Sequence, residues 1–136
     1  MNYIEQLKEC KTKKEFKQLW NPDKFDWEED CFDLVNNWSD YLDIWWDKEK
    51  FNWKRYSYFL VIHCFKYFDI WWDKEKFNWK RDSWSLARYC SKHFNTWWDE
   101  NKYNWENYNY LYDYCPKYKH IWIQMCVLDK LKKTYK

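Results

Sequence analysis

Apolar residues fall at helical spacing over three stretches of this chain and leave polar positions between them. The first runs through Trp27, Cys31, Leu34, Val35 and Trp38, the second through Trp53, Ser57, Leu60, Val61 and Cys64. The third runs through Trp79, Ser83, Leu86, Ala87 and Cys90. Spacings of three and four residues place each set on one face of a helix. The small residue in the second slot (Cys31, Ser57, Ser83) predicts a close helix–helix approach. Asp26, Asn52, Asn78 and Asn104 each precede the opening Trp and are good N-caps, and Asp26 with Glu29 has capping-box spacing. A longer helix of about three turns is therefore expected from residues 27, 53, 79 and 105.

The same pattern predicts a shorter helix after each long one. Pro116 fits the first turn of a new helix and breaks an ongoing one. Its equivalents are Phe65 and Ser91, so the short helix carries Phe68, Trp71 and Trp72, or Phe94, Trp97 and Trp98, and is expected to end at the Asp of WWD. Asp47-Lys48, equivalent to Asn21-Pro22, reads as a cap opening one further turn that delivers Phe51, Phe77 or Tyr103 to the core.

These elements recur because the sequence itself recurs. YLDIWWDKEKFNWKR at 41–55 returns as YFDIWWDKEKFNWKR at 67–81, 26 residues on, with diverged copies at 19–29 and 96–107. Such a period marks stacked supersecondary units. The expected fold is all-α: a short α-solenoid of ~26-residue two-helix repeats, each a longer helix, a short helix and a one-turn connector. One repeat domain would span 1–136, with units starting near 27, 53, 79 and 105. Caps would lie at 1–20, where Thr12 and Glu15 open a helix, and at 118–136, where Ile121, Trp122 and Ile123 take the WW slots. Terminal units are expected to be polar outside. The architecture resembles the short α-helical repeat families, the HEAT-like, tetratricopeptide-like and leucine-rich-variant arrays. The resemblance is architectural and covers most of the chain; WWDxxKFNW is none of their motifs.

Composition narrows the chemistry. Glycine is absent, so phosphate-cradling loops of the GxGxxG or GxxxxGK type are excluded, and turns needing positive φ fall to Asn or Asp. Lys, Asn, Tyr, Phe and Ile are abundant, as from an AT-rich gene, yet there are 14 Trp. Each buried indole contributes roughly 3 kcal/mol of apolar stabilisation. The structural core is assigned to Trp27, Trp46, Trp53, Trp72, Trp79, Trp98 and Trp105, because Leu and Ile replace Trp in the WW slots of other copies and would preserve packing while abolishing stacking.

The six cysteines form no CxxC, and Cys64, Cys90 and Cys115 share one repeat slot, which reads as a small buried residue. No signal peptide or membrane span is read from the sequence, so a reduced, cytoplasmic, intracellular protein is expected. His63, His93 and His120 do not share a slot, and no Cys/His spacing fits zinc. No cofactor, metal, catalytic residue or small-molecule substrate is predicted, and the chain is expected not to be an enzyme. Net charge is +2, unevenly spread: residues 1–40 come to −4 and residues 118–136 to +4.

Function is expected where the copies disagree. Tyr56, Phe59, Ile62 and His63 stand where the first copy has Asp30, Asp33, Asn36 and Asn37 and the third has Asp82, Ser85, Arg88 and Tyr89. Phe65 stands where others have Ser39, Ser91 and Pro116. A helix apolar nearly all round must be covered. The leading expectation is a protein-binding repeat module that offers Tyr56, Phe59, Ile62 and His63, flanked by Lys54, Arg55, Lys80 and Arg81, to a partner protein or to itself. The alternative is a nucleic-acid or nucleotide binder using Trp, Tyr and the basic pairs. A small chain of this kind would also suit a phage or viral inhibitor of a host system.

Overall fold

The computed structural model describes residues 2–134; the side chains of Tyr118, Lys119, Ile121, Trp122 and Cys126 also lie outside the described set, so the slots expected for Ile121 and Trp122 do too. All regular structure among the described residues is helical. The chain forms two compact units, one up to Asp73 and one from Lys74.

The first unit opens with α1 (Tyr3–Lys8) and α2 (Lys13–Leu19). Asn2 and Glu5 form a capping box on α1, and Thr12 accepts the Glu15 amide at 3.1 Å to cap α2, as expected from Thr12 and Glu15. The Tyr3 hydroxyl then closes this end, donating to the Leu19 carbonyl at 2.8 Å and accepting the Asn21 amide at 2.6 Å. Next come α3 (Cys31–Asn37), α4 (Leu42–Trp45), α5 (Trp53–Cys64) and α6 (Phe68–Trp71). The second unit holds α7 (Trp79–Tyr89), α8 (Phe94–Trp97), α9 (Tyr108–Tyr114) and α10 (Lys119–Thr134). A three-residue 3₁₀ turn leads into each short helix: Ser39–Tyr41, Phe65–Tyr67, Ser91–His93, and Pro116–Tyr118 ahead of α10. Within the units, α3 packs on α5, and α9 packs on both α7 and α10.

Two of the four long helices start where expected. Asn52 and Asn78 cap α5 and α7 by accepting the Arg55 and Arg81 amides at 3.3 and 3.4 Å. The other two differ. Regular helix begins at Cys31, not Trp27, because Asp26, Glu28, Glu29 and Asp30 crowd like charges onto adjacent turns. Asp26 still accepts the Glu28 and Glu29 amides at 3.2 Å, and Asp30 leaves the helical region at φ −109°, ψ 6°. In the fourth copy a 3₁₀ turn, Trp105–Asn107, precedes α9. That copy is one residue short between Trp105 and Leu111. A 3₁₀ turn rises further per residue and uses fewer residues per turn, which lets both side chains keep their places.

The short helices also end earlier than expected, at the first Trp of each pair. Trp46, Trp72 and Trp98 are extended, with ψ of 126°, 128° and 128°. The next residue, Asp47 or Asp99, folds an Asx turn that accepts the amide two residues on, at 3.0 and 2.9 Å. No described residue has positive φ, so the chain reverses direction without the conformation that glycine or asparagine would have supplied.

This break sorts the two indoles. Trp45, Trp71 and Trp97 are fully buried, whereas Trp46, Trp72 and Trp98, which the sequence assigned to the core, are only partly covered. Each deep indole donates Nε1–H to a main-chain carbonyl at the end of the preceding helix: Trp38, Cys64 and Cys90, each at 2.7 Å. A second series bridges the connector. Trp27, Trp53, Trp79 and Trp105 donate to the carbonyls of Pro22, Lys48, Lys74 and Glu100 at 3.0, 2.8, 2.8 and 3.0 Å. Trp53 and Trp79 are buried, while Trp27 and Trp105 at the outer copies are partly covered. Phe25, Phe51, Phe77 and Tyr103 are buried beside them, as expected for the last three.

Neighbouring copies are joined by backbone and small side chains. The slot residues Cys31, Ser57 and Ser83 are wholly buried. Ser83 Oγ accepts the Asn104 amide at 3.1 Å, and the Asn104 side chain donates to the Lys80 carbonyl at 2.8 Å. Asn52 reaches the Glu28 carbonyl in the same way at 3.3 Å. Burial pushes the thiols of Cys31, Cys64 and Cys90 up to about 12, so they stay protonated and act as small apolar groups.

The deep indoles yield a direct prediction. Trp71→Phe strands the Cys64 carbonyl inside the core and leaves a void, so it is expected to lower unfolding free energy by about 2–4 kcal/mol. Trp72→Phe, at a partly covered ring, is expected to lose less than half as much. Urea unfolding followed by circular dichroism ranks the two; an equal loss would contradict the division of labour between them.

Candidate protein-docking surface

An aromatic surface lies across α3 and α5. Phe32 meets Phe59 edge-on at 4.9 Å between ring centres, and Phe59 stacks on His63 at 6.3 Å. Phe59 and His63 are partly covered and Phe32 is the exposed member, at 37%; Phe65, after the end of α5, is exposed at 44% and makes no ring contact with them. The i, i+4 spacing of Phe59 and His63 puts them on one face of α5. Cys31 on α3 and Ser57 on α5 are small and wholly buried where these helices pack, and Phe32 joins that face from α3.

The residues predicted from sequence are placed unequally. Phe59, Ile62 and His63 are partly covered. Tyr56 is buried at 7% exposure, its hydroxyl 3.5 Å from the Glu29 carbonyl, so it belongs to the α3–α5 packing rather than to an outer face. Burial drives its phenol above the ordinary range, with the Arg55 charge opposing. Lys54 and Arg55 are exposed; Arg55 lies 5.3 Å over the Tyr56 ring and 3.6 Å from Glu29. Lys80 and Arg81 open α7 in the second unit. The Arg81 guanidinium holds the buried Asp82 carboxylate through two bonds, 2.8 and 2.7 Å, and this strengthens its hold on the proton. That pair ties down the start of α7, so Arg81 is a structural cation.

Phe32 was missed by comparing only variable slots. The signal was available: counted from the opening Trp, the same slot holds Phe32, Tyr58 and Trp84, aromatic each time. In the second unit it builds a related surface. Trp84 meets Tyr110 at 5.1 Å, Tyr110 stacks on Tyr114 at 6.3 Å, and Arg88 covers Tyr89 and Tyr114 at 5.2 and 5.9 Å. The slot lies off the core stripe, which is why it carries rings on the outer side of the long helices.

The C-terminal helix departs furthest from expectation. Ile123, assigned to a WW slot, is 48% exposed, and α10 continues past it with no extended break. Val127, Leu128 and Leu131 are 51%, 56% and 46% exposed. The unit therefore ends in an apolar stripe where a polar cap was expected. Beside it, α9 and α10 enclose a groove of about 460 Å³ lined by Tyr108, Asn109, Tyr112, Ile123, Val127 and Lys130. The Lys130 ammonium sits 5.5 Å from the Tyr108 ring centre at its rim.

Among the described residues no group of three or more His, Cys, Asp or Glu side chains is arranged to hold a metal ion, and no helix is long and apolar enough to cross a membrane. Comparison of the chain with known protein families, curated proteins and solved structures finds no match.

His63 gives the surface a pH signature. Burial lowers its pKa below the ordinary 6.5, so the fold favours the neutral ring. Its stabilising contribution is complete above that value and is lost as pH falls through the folded-state pKa. Urea unfolding between about pH 7.5 and 5 should show a smaller drop in stability for His63→Gln than for the wild type. Equal drops would show that His63 does not carry the effect.

Proposed function

We propose that the chain is a non-enzymatic protein-binding module, a short α-solenoid of ~26-residue repeats that holds an aromatic surface rigid for a partner protein. The observation that carries this reading is the α3–α5 face, where exposed Phe32 meets Phe59 and His63. Rings on packed helices lose little rotamer freedom on binding, so their burial goes largely into affinity. The charged rim of Glu28, Glu29, Lys54 and Arg55 fits the anatomy of an interface, with an apolar centre and polar edge.

The solenoid is supported by sequence period and local geometry together. Equivalent residues take equivalent conformations: Asn52 and Asn78 at φ −82°, and Trp46, Trp72 and Trp98 within a few degrees of each other. Ion pairs also fall about one period apart, as Lys50–Asp23, Lys48–Asp73, Lys74–Asp99 and Lys102–Glu75 do. A nucleic-acid reading would need indoles free to stack on bases; the deepest ones are enclosed and hydrogen-bonded to main chain, so the observations favour the protein-binding reading.

The test is affinity capture from a lysate of the source organism with wild type and Phe59→Asp/Ile62→Asp. The double variant is expected to keep its helical circular dichroism and to lose proteins that the wild type retains, a weakening of about thirtyfold or more for an anchor worth about 2 kcal/mol. Phe32→Asp, at an exposed position of the same surface, repeats the test without threatening the core. Identical capture by all three chains overturns the reading.

A further inference from the structure

We propose that a second copy of this chain is an occupant of the α3–α5 surface, which docks the apolar stripe of α10 so that copies associate head to tail. The proposal rests on the protein-binding reading above and names one partner for it.

Two exposed apolar faces stand on one chain. The first is the stripe of Ile123, Val127, Leu128 and Leu131, all roughly half exposed and spaced i, i+4, i+5, i+8 along α10. That spacing is how an amphipathic helix presents anchors to a groove. The second is the face of Phe32, Phe59 and His63, which spans α3 and α5.

Their charges are of opposite sign where they would meet. Lys130, Lys132 and Lys133 are exposed along α10, where Asp129 is the one carboxylate of the 119–134 segment. Glu28, Glu29, Asp30 and Asp33 border Phe32 at the start of α3, a net negative edge that Arg55, 3.6 Å from Glu29, and Lys8, 3.7 Å from Asp33, neutralise only in part. Asp30 shows how crowded this negative edge is: burial first, then Asp26, Asp33 and Glu29, push its carboxyl up, with Lys8 opposing. Lysines from a second copy would relieve that repulsion. Pairing two α10 helices with each other would instead set lysines against lysines. The contact is therefore heterologous, joining different surfaces of the two copies, and extends to further copies unless it closes into a ring.

Sedimentation velocity of the purified full chain tests this with no other protein present. The wild type should show a sedimentation coefficient that rises with concentration and falls on adding salt. Val127→Glu/Leu131→Glu removes the stripe, and Phe32→Glu/Phe59→Glu removes the receiving face; each alone should stay monomeric, weakened more than about tenfold. Mixed, they should form a dimer and nothing larger, since each supplies one intact half. Should the Phe pair fail to fold by circular dichroism, Glu28→Lys/Glu29→Lys should abolish association, and Lys130→Glu/Lys132→Glu in the other copy should restore it. A wild type that stays monomeric, a mixture that does not dimerise, or a Phe32→Glu/Phe59→Glu chain that associates like wild type overturns the proposal. Binding of α10 to phosphatidylserine vesicles by a monomeric chain would overturn it too, in favour of a lipid surface. Monomeric wild type together with partners lost by Phe59→Asp/Ile62→Asp would sink self-docking alone and leave the protein-binding reading standing.

Discussion

A chain without glycine must break its helices with residues that dislike breaking them, and here the indole N–H makes the break stable. Where a long helix ends, its last carbonyls lose their intrahelical partners. In three successive copies one of them is taken by the indole of a fully buried Trp seven residues on, at Trp38, Cys64 and Cys90. The ring fills the core and its one polar atom ties the helix end, so a single side chain does both jobs. The second indole series does the same for the connector turn. Few other side chains combine that volume with a single donor, which accounts for so many Trp in a chain otherwise rich in Lys, Asn and Tyr.

The rest of the architecture is arranged around these ties. The second Trp of each pair is extended, so the following Asp can fold its Asx turn and place Phe51, Phe77 or Tyr103 under the next long helix. The Asn caps look both ways, accepting an amide of their own helix and, at Asn52 and Asn104, donating to a carbonyl of the copy before. The small slot under each long helix lets these backbone contacts form. Surface ion pairs at the repeat period add register, though exposed pairs of this kind contribute at most about 1 kcal/mol each.

Once the inner slots are occupied in this way, differences between copies collect on the outside. The aromatic slot of Phe32, Tyr58 and Trp84 lies off the core stripe, extended by Phe59 at α5 and by Tyr110 and Tyr114 beside α7. In the second unit α10 keeps its helix where earlier copies break, and Ile123 and its followers are left more exposed than Trp72 and Trp98, the equivalents of Ile123. Both surfaces arise from departures from the repeat, one by substitution and one by a missing break.

Much of this was legible in the sequence by itself. Helical spacing after each Asn or Asp cap determined the long helices, Pro116 marked the entry to a short element, and the repeat placed equivalent residues together. The starts of α3 and α9 were less legible, since like-charge crowding after Asp26 and the missing residue before Leu111 act through backbone geometry. The order within each WW pair was beyond the pattern, because both slots are apolar and only the extended ψ at the second decides which ring goes inward. Tyr56 and Phe59 read alike as outer-face aromatics; the approach of α3 buried one and left the other at the surface. Helical periodicity reports which residues share a face. Which faces meet, and which stay open, depends on how far apart the helices pack, and only the tertiary structure decided that for α5 and α10.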